Sequence, residues 1–260
     1  MSAGTADPIF LANLTPKEIH EGGFDTAVLA VGATEYHGDH LPYCTDTLMA
    51  EALAVRFARE LGTALVLPSL AYGMSLHLIA WPWTLSLRPQ TLTEVVIDVG
   101  ESLLAHEITR LLVVSAHDGN PGPIEQAARE LSDRHGITVA LFAGWQSLSR
   151  QLLAGTYEID LDHGGQSEMS IVLHLRPDLA HLERAVDLPN QRMDHVVRVL
   201  GPFDRVVPHG YSGQPSRGSA AEGAAILDAI AAYVGPFLRE LAANGWRNGS
   251  WMSGIEKGEP

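Results

Sequence analysis

The chain has 260 residues, of which 46% are hydrophobic and 18% are charged, and this composition excludes a disordered or fibrous protein. Its formal net charge of -14 predicts no nucleic-acid partner, because an acidic surface repels phosphates. A single cysteine, Cys44, excludes an intrachain disulfide. Neither a secretory signal nor an apolar run of membrane-spanning length is visible, so the sequence predicts a cytoplasmic protein with no membrane partner.

Short apolar runs alternate with longer helical patterns along the chain. In chain order, the sequence predicts a strand at 26–33, a helix at 48–61, a strand at 63–68, a helix at 92–109, a strand at 110–116, a helix at 124–135, a strand at 137–143, and helices at 169–175 and 220–242. Strands that alternate with helices predict an α/β fold with a mainly parallel sheet. No repeat or linker marks a boundary, so residues 1–260 are expected to form a single domain.

Two late segments have less regular patterns. Residues 202–218 are rich in glycine and proline and precede the last long helix, which predicts a surface loop or lid. Residues 244–260 show no periodicity, yet they include Trp246 and Trp251. These large aromatic side chains indicate that the tail packs against something, and a neighbouring subunit is one candidate.

Polar side chains follow two of the predicted strands. Parallel sheets bind their ligands at the carboxyl ends of the strands. Glu35 and His37 follow the first strand, and alternate residues of an extended chain point the same way, so the carboxylate and the imidazole can face one point. His117 follows the third strand. Further candidates precede two of the helical patterns: Asp46, His163 and Glu168.

The residue types of this set are those that hold divalent cations. Carboxylate and imidazole groups bind zinc or manganese, and iron is possible; the predicted ligands are Glu35, His37, Asp46, His117 and Glu168. One divalent ion leaves this set negative, whereas two leave a positive charge that a bridging hydroxide cancels, so the balance favours two ions. Taken singly, each residue has a structural alternative. A histidine after a strand can cap a turn, and Asp46 can cap a helix.

The amino-acid sequences of these segments resemble the motifs of a known family. VGATEYHGDHLPYCTDT, SAHDGN, HGGQSEMS and YSGQPSRGSAAEG resemble, in order, motifs of the creatininase (creatinine amidohydrolase) family of metal-dependent hydrolases. The resemblance covers about residues 10–240. It implies a three-layer α/β/α fold with a mainly parallel sheet, a two-metal centre and hydrolysis of a non-peptide C–N bond. It also implies a homo-oligomer, often a hexamer.

The resemblance also implies roles for individual residues. It gives two ligand sets joined by Asp46: Glu35, Asp46 and His117 for one ion, and His37, Asp46 and Glu168 for the other. His163 is implied to be catalytic, passing a proton to the leaving nitrogen. Glu168 is assigned to the catalytic machinery as well as to the metal.

Several positions depart from the family pattern, which predicts a reshaped pocket. Creatininase itself has a carboxylate two residues after the histidine of its third motif, where this chain has Gly119. Within residues 72–84, His77 stands in the region of a glutamate–histidine pair and Trp83 replaces a small glycine. Whether certain side chains line the pocket stays open: His77, Trp81, Trp83, His209 and Arg217. Cys44 is expected to be a small buried hydrophobe rather than a ligand.

The main hypothesis is a two-metal hydrolase that cleaves an amide, lactam or formamide bond of a small polar molecule through a metal-bridging hydroxide. One alternative is hydrolysis of a C–C bond in a cyclic diketone or keto-sugar, because attack on a carbonyl needs the same nucleophile. Another is a catalytically inactive, metal-stabilised interaction subunit. The sequence leaves open the substrate, the physiological metal and the number of subunits.

Overall fold

A computed structural model describes residues 9–159, 162–190 and 202–247. Its centre is a four-stranded parallel sheet with the strand order β2-β1-β3-β4. The strands are β1 (Thr26–Val31), β2 (Ala64–Val66), β3 (Arg110–Ser115) and β4 (Thr138–Phe142). All four predicted strands are confirmed, and each is shorter than predicted because strand pairing ends before the apolar run does.

Helices connect and cover the strands. Those in the described part of the chain are α1 (Pro16–Gly22), α2 (Thr45–Leu61), α3 (Pro89–Leu104), α4 (Pro121–His135), α5 (Trp145–Leu152), α6 (Gln166–Leu175) and α7 (Ala220–Ala243). The predicted helices are confirmed with shifted ends, whereas α1 and α5 were not predicted. Helix α3 begins earlier than predicted because Pro89 is preorganised for a first helical turn. It also ends earlier, at Leu104, and Glu107 then adopts a left-handed conformation with φ 61°.

The sheet lies between two layers of helices. Alternate residues of β1 face opposite sides, so Val28 and Ala30 pack against α2, α6 and α7 in one apolar cluster. Ala27, Leu29 and Val31 pack against α3 and α4 in the other. Both faces of the sheet are therefore buried, which explains why its strands are continuous apolar runs. This arrangement confirms the three-layer α/β/α prediction.

The two late segments differ in part from their predictions. The stretch 202–218 contains two short 3-10 turns, Phe203–Arg205 and Pro215–Arg217, and it buries Val207 and Ser212, so it is more than a surface loop. Trp246 is buried in the apolar cluster beside α7, so it packs on its own chain and not on a neighbouring subunit. Trp251 lies outside the described residues.

Helix α7 is the one helix of the described ranges that is long and apolar enough, by length and composition, to cross a membrane. A core helix of a folded domain meets the same criterion. Ile226, Leu227 and Ile230 of α7 are fully buried in the apolar cluster that also contains α2. Packing in the core therefore accounts for the apolar character of this face of α7.

Candidate metal centre

The five predicted ligands converge at one edge of the sheet. Val31 and Ser115 are paired at the ends of β1 and β3, so the loops that follow these strands start side by side. One loop carries Glu35 and His37 and the other carries His117, while Asp46 and Glu168 lie in the first turns of α2 and α6. The structure thus brings together side chains that are far apart in sequence, and each of the five residues is at most 5% exposed.

The distances divide the cluster into two halves. The His37 Nε2 atom lies 3.4 Å from Asp46 Oδ1 and 3.6 Å from Glu168 Oε2. The His117 Nδ1 atom lies 3.2 Å from Glu35 Oε1 and 3.4 Å from Asp46 Oδ2. Because Zn–N and Zn–O bonds are about 2.1 Å long, two ligands of one ion lie roughly 3–4 Å apart. Each histidine has this spacing to its two carboxylate neighbours, and the two oxygens of Asp46 face different histidines.

Several polar atoms of the cluster have no hydrogen-bond partner. The atoms Glu35 Oε2, His37 Nε2 and Asp46 Oδ2 are buried and unpaired. A buried unpaired polar atom costs about 1–3 kcal/mol, and native proteins contain few of them. Divalent cations would satisfy both the carboxylate oxygens and the imidazole nitrogen. The residues present therefore fit the metal ions that the family resemblance implies.

Backbone carbonyls orient the two histidines. The carbonyl of Glu35 accepts the Nδ1–H of His37 at 3.0 Å, and the carbonyl of Met74 accepts the Nε2–H of His117 at 2.9 Å. These bonds orient the rings, so His37 Nε2 and His117 Nδ1 face the carboxylates and are the atoms that would bind a cation. Metal-bound histidines in proteins are held by the same kind of second hydrogen bond.

Asn120 supports the His117 half of the cluster, a function that the sequence analysis did not assign to it. Its Oδ1 atom accepts the backbone N–H of Met74 at 2.9 Å, and its Nδ2 donates to the carbonyl of Gly32 at 3.0 Å. Gly119 lies so close to the Met74 carbonyl and the His117 ring that a Cβ atom there would collide with both. Position 119 therefore cannot carry the carboxylate that creatininase itself has there.

His163 lies beside the cluster on its more open side. Its ring centroid is 4.3 Å from that of His37, and its side chain is 22% exposed. The Nε2–H donates to the carbonyl of Tyr36 at 2.9 Å, which leaves the Nδ1 lone pair 3.7 Å from Glu35 Oε1. This geometry leaves one nitrogen of His163 free to exchange protons.

His40 is a buried residue of the first motif to which the sequence analysis assigned no role. Its Nε2–H donates to the carbonyl of Gly164 at 2.6 Å. The backbone N–H of Gly164 in turn donates to Glu168 Oε2 at 2.6 Å. Gly164 has φ 66°, a conformation that favours glycine, so His40 holds the turn that positions Glu168.

Burial and mutual charge shift the proton affinities of these groups. Burial alone lowers the pKa of His37, but the carboxylates of Asp46 and Glu168 outweigh it and raise that pKa to about 10. Burial raises the pKa of Glu168 to about 8, although the charge of His37 opposes this. Burial and the nearby charge of His37 lower the pKa of His163 to about 4, so His163 is neutral near pH 7. Protons thus occupy the interior of the cluster, where cations would displace them.

The sequence does not decide whether five further side chains line the pocket. Of these, His77 contacts the cluster, because its ring stacks on that of His117 with centroids 5.7 Å apart. Trp81 packs edge-on against Phe203. Trp83 is 80% exposed. His209 is exposed as well, and Arg217 pairs with Glu158 at the surface. Cys44 is half-buried and belongs to none of the clusters of neighbouring metal-ligating atoms in the described part of the chain.

Comparison with known proteins shows to which family this chain belongs. Residues 12–238 match the family model for creatininase, described as creatinine amidohydrolase. The chain belongs to the creatininase family. It is therefore a hydrolase, and the alternative of an inactive interaction subunit is not supported. Membership of this amidohydrolase family also supports hydrolysis of a C–N bond.

Three relatives of this creatininase-family chain have different named activities. It is 34% identical over 201 residues to the creatinine amidohydrolase of Pseudomonas putida, covering 70% of this chain and 77% of the relative. It is 30% identical to the mycofactocin precursor peptide peptidase of Mycolicibacterium smegmatis, with 85% and 87% covered. It is 23% identical to the 3-dehydro-scyllo-inosose hydrolase of Thermotoga maritima, with 90% and 83% covered.

Solved creatininase structures share the fold of this chain. The manganese form of creatininase has a TM-score of 0.74 at 31% identity, covering 89% of this chain and 98% of that one. The zinc–zinc form of a creatininase mutant has a TM-score of 0.73 at 31% identity, with 89% and 97% covered. These structures confirm the fold class and support divalent metal ions as cofactors of the family.

Proposed function

We propose that this chain is a two-metal hydrolase that cleaves an amide, lactam or formamide C–N bond in a small polar molecule. The proposal rests on the position of Asp46, because its two carboxylate oxygens each lie 3.4 Å from a different histidine. Glu35 and His117 would hold one ion with Asp46. His37 and Glu168 would hold the other.

Two bound divalent ions would supply an activated water nucleophile and polarise the carbonyl under attack. His163 is the residue placed to move the proton. Its Nδ1 lone pair is free and its lowered pKa keeps the ring neutral near pH 7, so it can accept a proton and pass it to the leaving nitrogen. The hydrogen bond from its Nε2–H to Tyr36 keeps the ring oriented during both transfers.

The substrate class is the finer part of the proposal. The relatives named above act, by their names, on creatinine, on a precursor peptide and on a dehydrogenated inosose. The creatinine amidohydrolase, with 34% identity, favours a cyclic amide as the substrate. The peptidase favours a peptide, whose hydrolysis also cleaves a C–N bond. The inosose hydrolase favours the second candidate, which is cleavage of a C–C bond in a cyclic diketone or keto-sugar.

Chelation combined with a substrate panel tests the proposal. Purified protein is stripped with a chelator and assayed on lactams, formamides, short peptides and cyclic diketones, with product analysis by mass spectrometry. We expect turnover to disappear on stripping and to return with Mn²⁺ or Zn²⁺. Full activity in the metal-free protein would contradict the proposal, and exclusive turnover of cyclic diketones would replace C–N cleavage with C–C cleavage.

We further propose that residues 1–260 form a single domain in a cytoplasmic homo-oligomer, with a hexamer as the expected state. Self-association is supported by five apolar side chains along residues 72–85 that are 44–80% exposed: Tyr72, Leu76, Ile79, Trp83 and Leu85. Analytical ultracentrifugation gives the number of subunits. A monomer at micromolar concentration would contradict this part of the proposal.

A further inference from the structure

His77 lies against the His117 half of the cluster in a position fixed by packing. It belongs to a short 3-10 turn, Leu76–Leu78. Its ring is within 11° of parallel to that of His117, and Phe203 packs edge-on against it with centroids 5.2 Å apart. One His77 nitrogen lies within 4.8 Å of ligand atoms of both Glu35 and His117. An imidazole nitrogen is thus available beside a pair of predicted metal ligands.

A different additional histidine lies next to each half of the cluster: His163 next to the half around His37, and His77 next to the half around His117. In the half around His37, the ligand atoms of His37, Asp46 and Glu168 form one closely spaced group of three. In the half around His117, the Nδ1 atom lies 3.2 Å from Glu35 and 3.4 Å from Asp46, and His77 is grouped with Glu35 and His117 as a further donor. Zinc sites with four protein ligands are closed, whereas sites with three keep a position for water or substrate.

Other side chains do not offer this fourth donor. Within the described ranges, the groups of closely spaced ligand atoms contain two side chains beyond the five predicted ligands, namely His77 and His163. His163 is grouped with Glu35 and His37 and not with His117. Position 119, next to His117, has no room for any side chain.

We propose that His77 is a fourth protein ligand of the ion held by Glu35, Asp46 and His117. This inference rests on the proposed two-metal function. It gives the ion at His117 one more protein ligand than the ion at His37 and makes it the more tightly held of the two. The ion at His37, next to His163, is then the one with an open coordination position for water and substrate, and it exchanges more easily.

Cobalt titration of the chelator-stripped protein tests this assignment. The variant His77→Phe keeps a ring between His117 and Phe203 but removes both nitrogens, and His77→Leu serves in its place if the phenylalanine variant does not fold. His106→Phe is the matched control, because His106 is an exposed histidine away from the cluster. Calorimetry gives the number and affinity of bound Co²⁺ ions, and the visible Co²⁺ spectrum reports the ligands of each ion.

The wild-type chain and His106→Phe are expected to bind two Co²⁺ ions with different affinities. His77→Phe is expected to weaken one of the two by about 10- to 100-fold or more, to leave the other unchanged, and to alter the Co²⁺ absorption band. Wild-type affinities and spectrum in His77→Phe would overturn the assignment while leaving the two-metal function intact. A wild-type chain that binds fewer than two ions would overturn both.

Discussion

Asp46 is the residue on which the proposed site depends most. It is almost fully buried, it lies in the first turn of α2, and its two oxygens face His37 and His117 separately. The sequence also allows a structural alternative, in which Asp46 only caps a helix. Helix α2 instead has Cys44 at its N-cap position with no side-chain cap, and Oδ2 of Asp46 has no hydrogen-bond partner. The carboxylate is therefore oriented by the cluster and not by the helix end.

The variant Asp46→Asn should abolish the metal centre. The amide keeps the shape of the side chain but loses one anionic oxygen, so neither ion retains its shared ligand. We expect kcat/KM to fall about 100-fold or more and bound metal to drop below two ions per chain, as measured by steady-state kinetics and elemental analysis. Asp133→Asn on the exposed face of α4 is the control. Undiminished metal content in Asp46→Asn would contradict the ligand assignment.

The variant His163→Gln separates proton transfer from metal binding. His163 belongs to neither proposed ligand set, so both ions should stay bound. Loss of the proton shuttle should lower kcat by about 10²- to 10⁴-fold with a small change in KM. Parallel kinetics and metal analysis check this, and a variant with wild-type kcat would remove His163 from the mechanism.

At the scale of elements, adjacent strand ends and helix starts assemble the cluster. Strands β1 and β3 are neighbours in the sheet, so the loops that follow them meet. Helices α2 and α6 each place an acidic residue in the first turn, Asp46 and Glu168, where the positive end of the helix dipole favours a carboxylate. The backbone thus offsets part of the repulsion between the buried carboxylates.

The turn before α6 depends on a contact between distant segments. His40 donates to the Gly164 carbonyl, and Gly164 donates to Glu168, so the variant His40→Asn should displace Glu168 without touching the other ligands. We expect kcat/KM to fall about 10- to 100-fold and one of the two ions to bind more weakly. His20→Asn on α1 is an exposed control. Equal metal affinity in wild type and His40→Asn would show that His40 does not position Glu168.

Part of this architecture could be predicted from sequence and part could not. Apolar periodicity predicted the four strands and the long helices, because burial imposes those periods. Helices α1 and α5, with 7 and 8 residues, are too short to show a clear period. The hydrogen bonds that support the site could not be predicted from sequence for a different reason. His40 and Gly164 are 124 positions apart, and Asn120 and Met74 are 46 apart, so a local pattern does not reveal these contacts.

At the scale of the whole molecule, metal binding is linked to proton release. Without metal near pH 7, His37 with a pKa of about 10 is protonated, and so is most of Glu168 with a pKa of about 8. Both groups must lose their protons to bind a cation, so metal affinity should rise as pH rises.

This linkage gives a numerical expectation. Between pH 6 and pH 8, the ion held by His37, Asp46 and Glu168 displaces two protons, so its apparent affinity should rise on the order of a hundredfold per pH unit. Above pH 8 Glu168 is already ionised, so the rise should fall to about tenfold per unit until His37 also titrates. Calorimetry in buffers of different ionisation enthalpy measures both the affinity and the protons released. An affinity that does not change with pH would contradict the buried, proton-filled cluster.

The two-metal centre itself is tested most directly by crystals grown with Zn²⁺ or Mn²⁺ and measured at the metal absorption edge. The account predicts two anomalous peaks roughly 3.5–4 Å apart, with the carboxylate of Asp46 between them. One peak belongs with Glu35 and His117, and the other with His37 and Glu168. A single peak, or ions bound away from Asp46, would contradict it.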